Sequence, residues 1–135
     1  MWRQYFSENC KVMGIDIEQT ELCDSNLDVT YGDSKDANLW TEWDNFDIII
    51  DDGDHSPDAQ LETARVWIPK VKKSGLYIIE DVFSFRSDWF GHLLHEIGKL
   101  DLTVNVLDMR GYNGLDDNVM IVFSDEGLGY VKNNL

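Results

Sequence analysis

The apolar residues of this chain fall into short, nearly continuous runs separated by stretches with helical spacing. KVMGIDI (11–17), LDVTYGD (27–33), FDIIIDD (46–52) and LYIIEDV (76–82) each read as a β-strand that ends on, or just before, acidic residues. Between the third and fourth runs, residues 57–73 place Leu61, Ala64, Val66, Trp67 and Val71 close to one helical stripe. Ser74 and Gly75 are expected to stop that helix, with Lys72 and Lys73 in its last turn as the helix dipole favours. A second helix is expected over residues 87–100. LTVNVLDM (102–109) and NVMIVFS (118–124) read as two further strands. RGYNGLDD joins them; its glycines suit a tight antiparallel connection, and Asp116 and Asp117 belong to its polar turn.

Continuous apolar strands alternating with helices predict an α/β fold with three layers, in which a mostly parallel sheet is covered on both faces. The last strand would run antiparallel. Ligands of such sheets sit beyond the carboxyl ends of the strands. Four successive strands here deliver Asp16, Asp33, Asp51 with Asp52, and Glu80 with Asp81 to that edge. One acid at a strand end commonly caps a helix or faces water. Four in a row argue for a site.

Composition narrows what the site could take. The 135 residues are 43% hydrophobic and 12% aromatic, enough for a packed core and too apolar for a disordered chain. The formal charge is -15, from 26 acidic against 11 basic residues, a surface that repels phosphate backbones. No nucleic acid is therefore expected as a partner, while metal cations and neutral or cationic small molecules fit. No apolar run is long enough to span a membrane, so no membrane partner is expected, and MWRQYFSENC lacks the layout of a signal peptide. A cytoplasmic chain is expected, with Cys10 and Cys23 reduced and partly buried.

At this point the motifs resemble a known family, the class I S-adenosylmethionine (SAM)-dependent methyltransferases, and within it the metal-dependent O-methyltransferases of macrolide sugars and related natural products. The matching segments are GIDI (14–17), GDSKD (32–36), FDIIIDDGDH (46–55), SGLYIIED (74–81) and DMRGYNGLDDNVMIVF (108–123). GDSKD is weak alone; DDGDH paired with IIED is much more specific. The resemblance implies that Asp16, with Glu18 as the near alternative, holds the ribose hydroxyls of SAM. It places Asp33 at the adenine end and Asp51 near the methionine part. It assigns a magnesium ion to Asp52, Glu80 and Asp81, and oxygen ligands are what that hard cation prefers. His55 would take the proton of the attacking hydroxyl, since imidazole titrates near neutrality and a metal-bound hydroxyl is more acidic.

The expected activity is methyl transfer from SAM to a small-molecule hydroxyl. One alternative is a truncated or inactive methyltransferase fold that does not bind SAM; another is a metal-dependent hydrolase using the same acids. The pair His92 and His95 lies three apart on a helix without a third ligand, which suits a solvated face. Phe83, Phe85, Trp89 and Phe90 suit either a substrate wall or a helix packed on the sheet.

The sequence departs from the family at its start, where the first strand and the glycine-rich GxGxG turn have no counterpart. Residues 1–135 thus read as a single, N-terminally truncated domain. The implied sheet order, in family numbering, is 3-2-(gap)-4-5-7-6. A central gap leaves two edges of unpaired backbone groups. Either the strand at 12–17 shifts to pair with that at 46–52, or a second chain fills the gap as a homo-oligomer.

Overall fold

The computed structural model describes residues 5–6, 9–19, 28–83, 88–98, 102–113 and 118–125. Within them the strands are β1 (Met13–Asp16), β2 (Asp28–Tyr31), β3 (Phe46–Asp51), β4 (Val71–Ile79), β5 (Thr103–Asp108) and β6 (Val119–Ser124). The α-helices are α1 (Pro57–Trp67), α2 (Asp88–Gly98) and the single turn α3 (Arg110–Asn113). The chain divides into two compact units, Met1–Thr41 and Glu42–Leu135.

The first unit holds β1 and β2, paired in parallel from Met13↔Asp28 to Asp16↔Tyr31. The Gly32 N–H continues the pairing by donating to the Asp16 carbonyl at 2.9 Å. The chain then turns back so that the Trp40 indole N–H donates to the Asp33 carbonyl at 2.9 Å.

The second unit holds a four-stranded sheet in the order β3-β4-β6-β5. β3 and β4 are parallel, as a strand-helix-strand crossover through α1 requires. β6 enters antiparallel between β4 and β5, giving the expected hairpin-like pairing from Thr103↔Ser124 to Asp108↔Val119. The order matches the sequence expectation, and among the described residues no strand pairing joins β1 or β2 to this sheet. Tyr77, Ile79, Val119, Ile121 and Phe123 are almost wholly buried, as are Ala64 and Trp67 of α1 and Leu93 of α2. Burying side chains of this size contributes about 1.5–3 kcal/mol each, and this apolar band holds the unit together.

The helix expected through residue 73 ends at Trp67 instead. Pro69 is the cause: it has no N–H for an α-helical bond and its ring crowds the preceding turn. One 3-10 turn, Ile68–Lys70, follows, and the chain enters β4 at Val71. Lys72 and Lys73 are therefore strand residues rather than a helix end. Ser74 has φ 65 and lies in a bulge, where Phe46 pairs with Val71 but Ile48 pairs with Leu76. Its N–H donates to Asp125 Oδ1 at 2.7 Å. Gly75 is required there by close approach, since a Cβ would sit 2.9 Å from the Asp47 carbonyl oxygen. β4, expected over 76–82, runs Val71–Ile79, and the helical turn Arg110–Asn113 stands in the expected tight connection; the other elements fall within two residues of expectation. Phe85, Asp116, Asp117 and Cys23 lie outside the described residues, as do the side chains of Trp89 and Phe90. Among the described residues no helix is long and apolar enough to cross a membrane.

Candidate functional site

Because β3 and β4 are parallel, their carboxyl ends open at the same edge, and the acidic loops 51–55 and 80–81 leave the sheet side by side. The Glu80 N–H donates to the Asp51 carbonyl at 3.0 Å, tying the second loop to the first. Gln60, on α1 and 2% exposed, donates through Nε2 to the Glu80 carbonyl at 3.1 Å and so holds the second loop from the helix side.

Asp52, His55 and Asp81 converge here, with one potential ligand atom from each lying within 4.8 Å of the others. His55 Nε2 is 3.5 Å from Asp52 Oδ1, and His55 Nδ1 is 4.0 Å from Asp81 Oδ2. The Asp52 side chain is the most open of the three at 63% exposure, against 42% for Asp81 and 32% for His55. His55 Nε2 is itself buried and has no hydrogen-bond partner among the described residues. An unsatisfied buried polar atom costs about 1–3 kcal/mol, so its presence at a cluster of acids marks a place where a further group would be welcome. Asp81 has φ 50, in the left-handed region that non-glycine residues occupy sparingly. Its neighbours in the loop hold that conformation: the Glu80 N–H on one side and, on the other, the Val82 N–H donating to Val119 O at 3.0 Å.

Glu80 falls outside the tight cluster but feels it. Burial raises its pKa first, and the charges of Asp52 and Asp81 raise it further, while His55 opposes. Like charges gathered at one edge without a cation are mutually unfavourable. Asp51 differs from its neighbour Asp52 in pointing inward. It is 7% exposed, its Oδ2 accepts from the Tyr77 hydroxyl at 3.0 Å, and the Gly53 N–H donates to the same carboxylate. Burial pushes the Asp51 carboxyl up to about 6, against the lowering effect of these two donors.

In the first unit, Asp16 and Asp33 stand at the carboxyl ends of β1 and β2, each heading a turn. Asp16 Oδ1 accepts from the Glu18 N–H and Asp33 Oδ1 from the Lys35 N–H, both at 2.9 Å. His92 and His95 are exposed on α2. Phe83, 46% exposed, follows the second acidic loop. Tyr77 and Gln60 were not singled out from the sequence. Period-two alternation puts Tyr77 on the face of Ile79, and only the register Ile49↔Tyr77 reveals that Asp51 shares that face.

No protein-family model matches the chain. It is 32% identical over 108 residues to demethylmacrocin O-methyltransferase of Streptomyces fradiae, which spans 76% of this chain and 27% of that protein. It is 31% identical over 97 residues to mycinamicin VI 2''-O-methyltransferase of Micromonospora griseorubida, covering 67% of this chain and 24% of the relative. The chain thus spans about a quarter of the length of these curated relatives. Among solved structures, MycE methyltransferase from the mycinamycin biosynthetic pathway, in complex with Mg and SAH, superposes with a TM-score of 0.67. Identity there is 23%, over 98% of this chain and 41% of that one. A putative rRNA-methylase from Clostridium thermocellum superposes with a TM-score of 0.63 at 10% identity, over 87% of this chain and 74% of the other, sharing the fold. By its sequence relatives and by its fold, the chain belongs to the class I SAM-dependent methyltransferases.

Proposed function

We propose that this chain is a metal-assisted O-methyltransferase domain that moves a methyl group from SAM to a hydroxyl of a small molecule. The observation that carries the reading is the convergence of Asp52, His55 and Asp81, where a buried imidazole nitrogen has no hydrogen-bond partner among the described residues, with Glu80 alongside. The relatives are named as O-methyltransferases of demethylmacrocin and mycinamicin VI, and the MycE structure is a complex with Mg and SAH. These facts support the same reading.

The donors fit a hard divalent cation. Asp52, Glu80 and Asp81 offer carboxylate oxygens, and magnesium commonly takes a few of these while keeping open positions. Such an ion, when bound, supplies Lewis acidity that makes a neighbouring hydroxyl easier to deprotonate. His55 accepts the hydroxyl proton, and contact with Asp52 and Asp81 on either side orients its ring. Asp16 and Asp33 are acceptors for the ribose hydroxyls and the adenine end of SAM. A carboxylate is well suited to accept from two vicinal hydroxyls. Much of the rate then comes from holding methyl donor and hydroxyl in line.

Isothermal titration with SAM, with and without magnesium, tests the reading. The expected result is saturable binding with a dissociation constant in the micromolar range, about -8 kcal/mol. A folded chain that does not bind SAM would overturn it. Turnover of a generic ester or phosphate with metal, and no response to SAM, would point to hydrolysis instead.

A further inference from the structure

We propose that Tyr77 is a positioning residue for the metal-bearing loops and acts through the buried Asp51. The inference rests on the reading of Asp52, Glu80 and Asp81 as carboxylates that hold a divalent cation.

Two parts of Tyr77 do different work. Its ring is core: the residue is 1% exposed and its ring centroid lies 6.1 Å from that of Phe123 on β6. Its hydroxyl reaches diagonally across the parallel pair. Tyr77 is registered with Ile49, so Asp51, two residues further along β3, presents its side chain on the same face one step ahead. The hydroxyl donates to Asp51 Oδ2 at 3.0 Å.

Asp51 then fastens three segments at once. Its carboxylate takes the Tyr77 hydroxyl from the rigid sheet and the Gly53 N–H from the first loop. Its main-chain carbonyl takes the Glu80 N–H from the second loop. Gly53 lies between Asp52 and His55, so the bond at Gly53 sets where both of those side chains start. Glu80 precedes Asp81, so the bond at Glu80 does the same for the second loop. A phenylalanine at 77 would fill the core equally well and would leave Asp51 free to turn. The hydroxyl therefore serves the loops and not the packing.

Buried polar groups behind a metal's ligands commonly govern affinity without touching the ion, and losing one typically costs about 10- to 100-fold. The experiment measures Mn2+ affinity by titration and, on the same metal-free proteins, the urea midpoint of unfolding. The variants are Tyr77→Phe, Asp51→Asn, Asp52→Ala and Phe123→Leu. Tyr77→Phe is expected to weaken Mn2+ binding by about tenfold and to lower the midpoint only as far as the loss of one buried hydrogen bond does. Phe123→Leu disturbs the packing of the same ring and is expected to lower the midpoint while leaving Mn2+ affinity unchanged. Asp51→Asn keeps an acceptor for Tyr77, loses the bond from Gly53, and is expected to weaken Mn2+ binding as Tyr77→Phe does. Unaltered binding by Tyr77→Phe, beside loss in Asp52→Ala, would overturn the positioning role and leave the metal reading standing. No Mn2+ binding by the unmodified chain would overturn both.

Discussion

Asp51 makes the stability of this fold depend on pH in an unusual direction. Most native carboxylates are stabilised by folding, so stability falls on acidification. Asp51 is stabilised in its protonated form, because burial pushes its carboxyl from 3.8 up to about 6. Between those two values the folded chain holds this proton and the unfolded chain has released it. Stability contributed by Asp51 therefore declines as pH rises through that window and is constant outside it. At ~1.4 kcal/mol per pH unit, the span amounts to about 3 kcal/mol, a substantial part of the ~5–15 kcal/mol that holds a domain together. Asp51→Asn removes the titration while keeping an acceptor for Tyr77. It also sets an amide opposite the Gly53 N–H, at a cost that does not vary with pH. Urea unfolding of both chains in a chelating buffer, from about pH 4 to pH 7, isolates the effect because their difference cancels the other carboxylates, including Glu80. The variant should gain on the unmodified chain by about 3 kcal/mol across that range. A difference that stays constant with pH would refute the reasoning.

Three further outcomes are expected. Gly75→Ala should lose about 1–3 kcal/mol in denaturant unfolding, since the new methyl would meet Val71 Cγ1 at 2.6 Å and two backbone carbonyl oxygens at 2.9 Å. Gln60→Leu should cost about 1–2 kcal/mol by removing the buried bond to the Glu80 carbonyl, and should weaken Mn2+ binding in the same titrations. Magnesium at about a hundred times its dissociation constant should add ~2.7 kcal/mol of stability, and Asp52→Ala or Asp81→Ala should abolish that gain in a thermal melt.

The succession of strands and helices was legible because each strand of the parallel part is an apolar run closed by acids, a pattern that needs no tertiary information. The sheet order followed from the resemblance, and β6 between β4 and β5 agrees with it. The end of α1 was misjudged although Pro69 stands in plain view. Two lysines followed by Ser74 and Gly75 imitate a helix terminus, and their true setting, a strand with a bulge, depends on the pairing partner. Three of the four acids at the edge of the second unit gather near His55 as loop residues. The fourth, Asp51, turns inward because it still belongs to β3, where alternation decides its face. Gln60 illustrates the remaining gap. A glutamine in a helix reads as solvated, and only the packed position of α1 shows it buried against the Glu80 carbonyl.

The candidate metal centre draws all its side chains from one stretch, β3 through α1 to the turn after β4. Asp52 and Asp81 come side by side when the two strands of that crossover align, and β6 then fixes the backbone at Asp81 through the Val82 N–H to the Val119 carbonyl. The cost of closing a loop grows only slowly with its length, so aligning these two strands costs little more entropy than a shorter connection would. Aligning them also crowds acids at one edge, and the like charges there work against the pairing. Divalent cations in the refolding medium are therefore expected to speed the pairing of β3 with β4 by relieving that repulsion.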